Sequence, residues 1–254
     1  MLMRVSTGIE GLDKMLNGGL IAQRSYIIDG PEGSGKTLFA LQFLVEGLKA
    51  GENVMFVAID EPPNELKENA KSFGWDLSEM KILDATPEMA GLKKSKHIQE
   101  VRALGDIKEM KDVDEIKKSS SENPYELSIQ SIYIKLNKEM ENTKYHRIVV
   151  DSLTSIRYFG FKGERTIGQE RSEIQSFMRF LAESEATSIL VTSLPPENDI
   201  PAEFLLARGE IRLFKQRVND ELRRGVSIVK FQGSAHDTQI RPFKIGSNGI
   251  EVIV

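Results

Sequence analysis

The chain has 254 residues, 40% hydrophobic and 28% charged, with 34 Lys and Arg against 38 Asp and Glu for a formal net charge of −4. This composition excludes a disordered or collagen-like chain, and the absence of cysteine excludes disulfides, thiol catalysis and cysteine-bound zinc. No apolar run approaches the roughly 20 residues of a membrane-spanning helix, and MLMRVSTGIEGLD turns polar too early for a secretory signal, so a cytoplasmic location is expected.

In chain order, Tyr26–Asp29 is the first apolar run that reads as a buried strand. After Lys36, Leu41, Leu44, Val45 and Leu48 recur at helical spacing, and Gly51 is a natural stop. Val54–Ile59 predicts a second strand, Pro62-Pro63 opens a helix running to Phe73-Gly74, and Lys81–Leu83 predicts a third strand. Trp75 reads as core packing beside Gly74. Residues 91–124 break the pattern: they are dense in charge of both signs, with an apolar residue at every third position. That spacing circles a single helix axis, so two short helices broken at Gly105 fit better, in a solvated insertion or lid.

Leu127–Met140 and Gln169–Glu185 are amphipathic, while Arg147–Asp151 and Ser188–Thr192 are apolar strands. Glu210–Gln216, Gly225–Gln232 and Phe243–Val254 read as strands joined by turns, with Asn248-Gly249 a hairpin signal. Strands that are continuously apolar and alternate with helices predict an α/β fold. Its mainly parallel sheet is covered on both faces and followed by an antiparallel C-terminal β extension.

The chemistry concentrates in Gly30-Pro31-Glu32-Gly33-Ser34-Gly35-Lys36-Thr37, which matches G-x-x-x-x-G-K-[ST]. Glycines let such a loop turn its backbone N–H groups onto an anion, and the helix that follows adds its positive end. Lys36 then reaches the β- and γ-phosphates of ATP, and the Thr37 hydroxyl ligates Mg²⁺. A random chain of this size matches the pattern roughly once in a hundred, so the strand before it and the helix after it are what make the match specific. Asp151, ending an apolar strand, supplies the second metal ligand. Asp60-Glu61 end another strand at the sheet edge where ligands bind, and neighbouring strand residues face opposite ways. One of the two carboxylates is therefore expected to face an attacking water, and a solvated acidic turn is the alternative.

With these stretches in hand, the sequence resembles the KaiC-like branch of the RecA superfamily. The likeness is carried by Ser6-Thr7-Gly8-Ile9-Glu10-Gly11-Leu12-Asp13 with Leu16-Asn17-Gly18-Gly19-Leu20 and the P-loop, by Asp60-Glu61, by Val149–Ser155, and by Lys230-Phe231-Gln232-Gly233-Ser234-Ala235-His236. The resemblance implies one RecA-like ATPase domain over residues 1–254, holding ATP between subunits of a homo-oligomeric ring, commonly a hexamer. It makes Glu61 the water-activating carboxylate, and brings Lys230 and His236 to a neighbour's nucleotide. One departure stands out: Gln232 occupies a position where the family has arginine. Either Lys230 or the Arg223-Arg224 pair then stands in, or turnover is slow.

Other signals are weaker. Thr192-Ser193 are a candidate γ-phosphate sensor or plain strand-end hydroxyls, and Thr166 reads as a turn or cap residue. His97, His146 and His236 lack metal-ligand spacing. A DNA-binding recombination or repair accessory is the main alternative function. Residues 157–165 are basic and aromatic, which suits backbone contact and base stacking, whereas 195–208 carry Glu197, Asp199 and Glu203 against Arg208 and disfavour phosphate. A slow nucleotide-gated scaffold signalling through 91–124 is a third reading, and no protein partner can be read from the chain.

Overall fold

Described here are residues 2–86, 128–160, 167–194 and 201–254 of a computed structural model. The expected helices of the 91–124 segment, Thr166 and His97 lie outside them. The chain opens with β1 (Arg4–Val5), α1 (Glu10–Met15) and β2 (Leu20–Ile21), then β3 (Ser25–Asp29) and α2 (Lys36–Lys49). Next come β4 (Val54–Ala58), α3 (Pro63–Lys71), β5 (Lys81–Asp84) and α4 (Ile129–Met140). Then follow β6 (Arg147–Asp151), α5 (Leu153–Gly160), α6 (Ile167–Glu183), β7 (Thr187–Val191) and α7 (Ala202–Leu206). Four strands finish the chain: β8 (Gly209–Val218), β9 (Glu221–Phe231), β10 (Arg241–Gly246) and β11 (Gly249–Val252).

Nine of the strands form one sheet in the order β11-β10-β9-β8-β3-β7-β6-β4-β5, and β1 pairs β2 separately. The run from β8 to β5 is parallel, and β9, β10 and β11 add antiparallel pairings. The expected antiparallel C-terminal extension on a mainly parallel sheet is present. The strand expected at Glu210–Gln216 is its seam, parallel to β3 on one side and antiparallel to β9 on the other. The hairpin turn sits one residue earlier than the Asn248-Gly249 signal, since Gly246 pairs Gly249 and leaves Ser247-Asn248 as the turn.

Strand alternation sorts the core into two layers. Ile28, Phe56, Val149, Ile189 and Val191 pack with Phe39, Phe43 and Leu44 of α2 on one face. Ile27, Val57, Ile148, Val150 and Leu190 pack with Ile132 and Leu136 of α4 and Phe177 and Leu181 of α6 on the other. Trp75 lies in the first layer, stacked on Phe73 at 5.2 Å.

The N-terminal signature is a structural device. Asp13 takes the Thr7 backbone N–H at 2.9 Å and the Thr7 and Ser6 hydroxyls at 2.7 Å each, folding the chain tightly into α1. Buried Arg147, at the foot of β6, donates to Ser6 O at 2.7 Å and Phe43 O at 2.8 Å and pairs with Glu52. Gln42 of α2 donates to Gly8 O at 2.7 Å and accepts from the Ile250 N–H at 2.7 Å. These bonds fix α2, and with it the loop at its head, against both ends of the chain.

Candidate active site

The loop between β3 and α2 is built by its backbone. Gly35 stands before the helix at φ 107°, where a side chain would be strained, and a Cβ on Gly30 would meet Leu213 O at 2.6 Å. Ser34 is fully buried, and its hydroxyl has no partner among the described residues. Lys36 folds back over the loop and donates to Gly30 O at 2.8 Å and Pro31 O at 3.0 Å. Burial holds its ammonium below the usual lysine range, against the pull of Asp151, Asp29, Glu32 and Asp60. The result is a cradle of donors at a helix head with one lysine poised across it, a shape suited to a polyphosphate.

Thr37, one residue into α2, donates its hydroxyl to Asp151 Oδ2 at 2.6 Å across 114 residues of sequence. Asp151 is only 6% exposed. Burial pushes its carboxyl up to about 6, with the Thr37 bond opposing and the Asp60 charge adding. Hydroxyl and carboxylate oxygens are hard donors that suit Mg²⁺, which binds through one or two carboxylates with water and phosphate completing its shell. Among the described residues no three His, Asp or Glu side chains gather into a cage, so the donor set is of that sparse kind.

The acidic pair lies just past β4 and divides between two partners. Asp60, exposed, accepts from Ser152 Oγ at 2.7 Å, next to Asp151, while half-buried Glu61 accepts from Asn69 of α3. Burial raises the Glu61 carboxyl above its usual value, against that hydrogen bond, making it a better proton acceptor. Thr192, buried at the end of β7, meets the Thr154 hydroxyl at 3.2 Å, and the Ser193 N–H donates to Thr154 Oγ1 at 2.8 Å. Lys36, Thr37, Asp60, Glu61 and Asp151 thus share the C-terminal edge of the parallel strands.

A family model described as a KaiC ATPase matches residues 5–254. The chain belongs to the KaiC family of ATPases. A UPF0273 protein of Pyrococcus horikoshii is 32% identical over 99% of this chain and 94% of its own length. Another, of Thermotoga maritima, is 29% identical over 99% of the chain and 96% of itself. The circadian clock oscillator protein KaiC of Parasynechococcus marenigrum is 29% identical over 99% of the chain, which spans only 45% of that protein. Among solved structures, a KaiC-like protein from Pyrococcus horikoshii shares 27% identity, with a TM-score of 0.72 and all of both chains covered.

For a KaiC-family chain, the placement of the C-terminal motif matters most. Lys230 pairs Glu210 on β8, one residue past the Gly209 that pairs Phe231, at the opposite end of the sheet from the P-loop. Its Nζ donates to Phe204 O at 3.1 Å and Leu205 O at 3.2 Å. His236 stands edge-on to Phe231 at 6.3 Å, with Nδ1 buried and no partner among the described residues. Neither residue joins its own chain's phosphate cradle.

The Arg223-Arg224 pair lies at the other end of β9, where Arg224 pairs Lys215. Lys215 donates to Glu32 O at 3.1 Å, so this end of the hairpin stands over the chain's own P-loop. Nothing in the sequence around Lys215 marks it for this place, which only the fold creates. Two other expectations need correcting. Arg157 belongs to α5 rather than a loop, and Glu203 is fully buried and holds Arg157 Nη2 at 2.6 Å. The basic and the acidic segment weighed for DNA are therefore joined here, and Glu203 presents no charge to a ligand.

Asp29 carries a pH prediction. This fully buried carboxylate takes Arg212 Nε at 2.8 Å, while its other oxygen has no partner among the described residues. Burial pushes its pKa up to about 6, outweighing the pull of Arg212. The folded chain then keeps a proton that the unfolded chain releases, so stability falls as pH rises from 3.8 towards about 6. Two pKa units amount to about 3 kcal/mol at most. Urea unfolding at about pH 4.5 and about pH 7.5 checks this. The parent should lose up to about 2 kcal/mol more than Asp29→Asn over that interval, the rest of the loss lying below about pH 4.5, and equal losses would refute it.

Proposed function

We propose that this KaiC-family protein hydrolyses Mg-ATP at interfaces between copies of a homo-oligomer. In this reading residues 1–254 act as one RecA-like ATPase domain with a charged insertion at about 91–124, in a cytoplasmic, regulatory or signalling role. The observation that carries it is the 2.6 Å contact of Thr37 with Asp151 beneath the Gly30–Thr37 loop, with Asp60 and Glu61 on the adjoining strand edge. The phosphates lie on the loop amides and Lys36. Bound through Thr37 and Asp151, Mg²⁺ would neutralise charge on the β- and γ-phosphates. Asn69 orients Glu61, which accepts the proton of the attacking water. Asp60, held by Ser152, fixes the neighbouring backbone. Lys230 and His236, remote from their own cradle, are available to a second copy's nucleotide.

Light scattering with and without ATP tests the shared site. The expected result is a ring of several copies, most simply six, stabilised by ATP. A chain that remains monomeric while hydrolysing ATP would overturn it. The DNA-binding reading predicts salt-dependent retention of single-stranded DNA, and the Arg157–Glu203 pairing weighs against it.

A further inference from the structure

At the edge of the sheet remote from the P-loop, between the start of β3, α6 and the start of β8, lies an open cleft of about 680 Å³. Three arginines line it, Arg24, Arg179 and Arg208, together with Gln232, and its wall contains no Asp or Glu. Elsewhere Arg147, Arg157, Arg212, Arg217 and Arg241 each sit on a carboxylate. Among the described residues the three cleft arginines have no such partner. Arg208 Nη1 donates to Gln232 Oε1 at 3.1 Å, and Arg24 Nη1 to Gln232 O at 2.7 Å. Lys230 stands nearby; burial and the Arg208 charge both hold its ammonium below the usual range, against Glu210. In a chain with a net charge of −4, guanidinium groups gathered in one cleft without a carboxylate partner are chemically suited to a phosphate-type anion.

The anion is not the chain's own nucleotide. Arg208 precedes Gly209, which pairs Tyr26, so three residues of β3, about 10 Å, separate it from Asp29 and the P-loop lies beyond. The two edges are complementary. The P-loop edge carries Asp60, Glu61 and Asp151 as well as Lys36, with no arginine bonded to any of the three acids among the described residues. The remote cleft carries arginines with no acid in its wall, and Glu210 stands beside Lys230. Leu205 and Val229, 62% and 48% exposed, flank Lys230 and offer apolar surface for a contact between copies.

We propose that Arg208, with Arg24 beside it, contacts the terminal phosphates of ATP held on the P-loop of a second copy and supplies the charge that Gln232 lacks. This rests on the shared-site reading above. As the water oxygen bonds to the γ-phosphorus, its proton passes to Glu61. The bond to the bridging oxygen breaks with its electron pair left on ADP, and the guanidinium of Arg208 balances the charge that accumulates.

Three proteins test it: the parent, Arg208→Ala and Arg208→Lys. Hydrolysis at saturating ATP should fall at least about 100-fold in Arg208→Ala and less in Arg208→Lys, with ATP affinity and assembly within about threefold of the parent. The decisive step mixes Arg208→Ala with Glu61→Gln before ATP is added. In a head-to-tail assembly about a quarter of the interfaces then join an intact P-loop and Glu61 from one variant to an intact Arg208 from the other. Activity near a quarter of the parent's should return although each variant alone is inactive. Failure of the mixture to recover, or Arg208→Ala turning over at the parent rate in a normal assembly, overturns the role of Arg208. A parent that hydrolyses ATP as a monomer overturns the shared site instead, and this proposal with it.

Discussion

Replacing Lys36 with alanine should abolish tight ATP binding, weakening it at least about 100-fold, or about 2.7 kcal/mol. The ammonium sits partly buried over the loop, already drawn below its usual pKa by desolvation, so it gains most when a polyphosphate replaces the Gly30 and Pro31 carbonyls as its partners. Removing it leaves phosphate charge in a partly dry cradle, the situation in which truncating one side of a charged pair costs about 2–5 kcal/mol. Calorimetric titration with ATP reads the effect. Thermal unfolding without nucleotide supplies the control, because Lys36 holds only two loop carbonyls and the fold should survive its loss. Near-parent affinity in a folded variant would sink the phosphate-site assignment.

The second large effect is expected from Glu61→Gln, which should keep ATP bound within a few-fold of the parent and lower turnover by about 10²- to 10⁴-fold. The amide retains the size and the contact with Asn69 but cannot take a proton. Asp60→Asn is the informative companion. Asp60 is tied to Ser152 beside Asp151, so its loss should disturb the metal side of the site and raise the Mg²⁺ requirement rather than stop chemistry. Single-turnover hydrolysis across a Mg²⁺ series separates the two. If Asp60→Asn stops turnover and Glu61→Gln does not, the roles are reversed.

Much of this site was legible in the sequence because its chemistry is bound to backbone geometry at fixed spacing. A loop that turns N–H groups inward needs glycine where φ is positive, as at Gly35, and a strand must deliver it, so Gly30–Thr37 announces itself. Asp151 and Asp60-Glu61 were readable as acids closing apolar strands. What resisted reading was made by pairings between distant segments. Lys215 reaches Glu32 across 183 residues, and Arg208 meets Gln232 only because β8 and β9 pair. That β8 is parallel to β3 depends on strand order, which local patterning does not encode. β1 and β2 hold two residues each, too few for any period, and α1 is shaped by Asp13 as much as by hydrophobicity. The Arg157–Glu203 pair is hidden for a related reason: its partners stand 46 residues apart and meet only once the chain is folded.

The β8–β9 hairpin has a mechanical consequence. Lys215, five residues beyond Glu210 on β8, stands over its own P-loop, whereas Lys230 opposite Glu210 belongs to the far edge, a separation of about 17 Å along the strand. The paired strands between them carry a single register shift, at Glu210/Ile211, so the hairpin is a stiff strut with one joint beside Lys230. Should a neighbour's phosphates press on the far end, the strut delivers that load to the roof of its own cradle. Reciprocity then requires that filling the cradle alter the grip on the neighbour by the same free energy. In an assembly that shares its sites as proposed, nucleotide binding at one cradle would then be coupled to binding at the next through this hairpin.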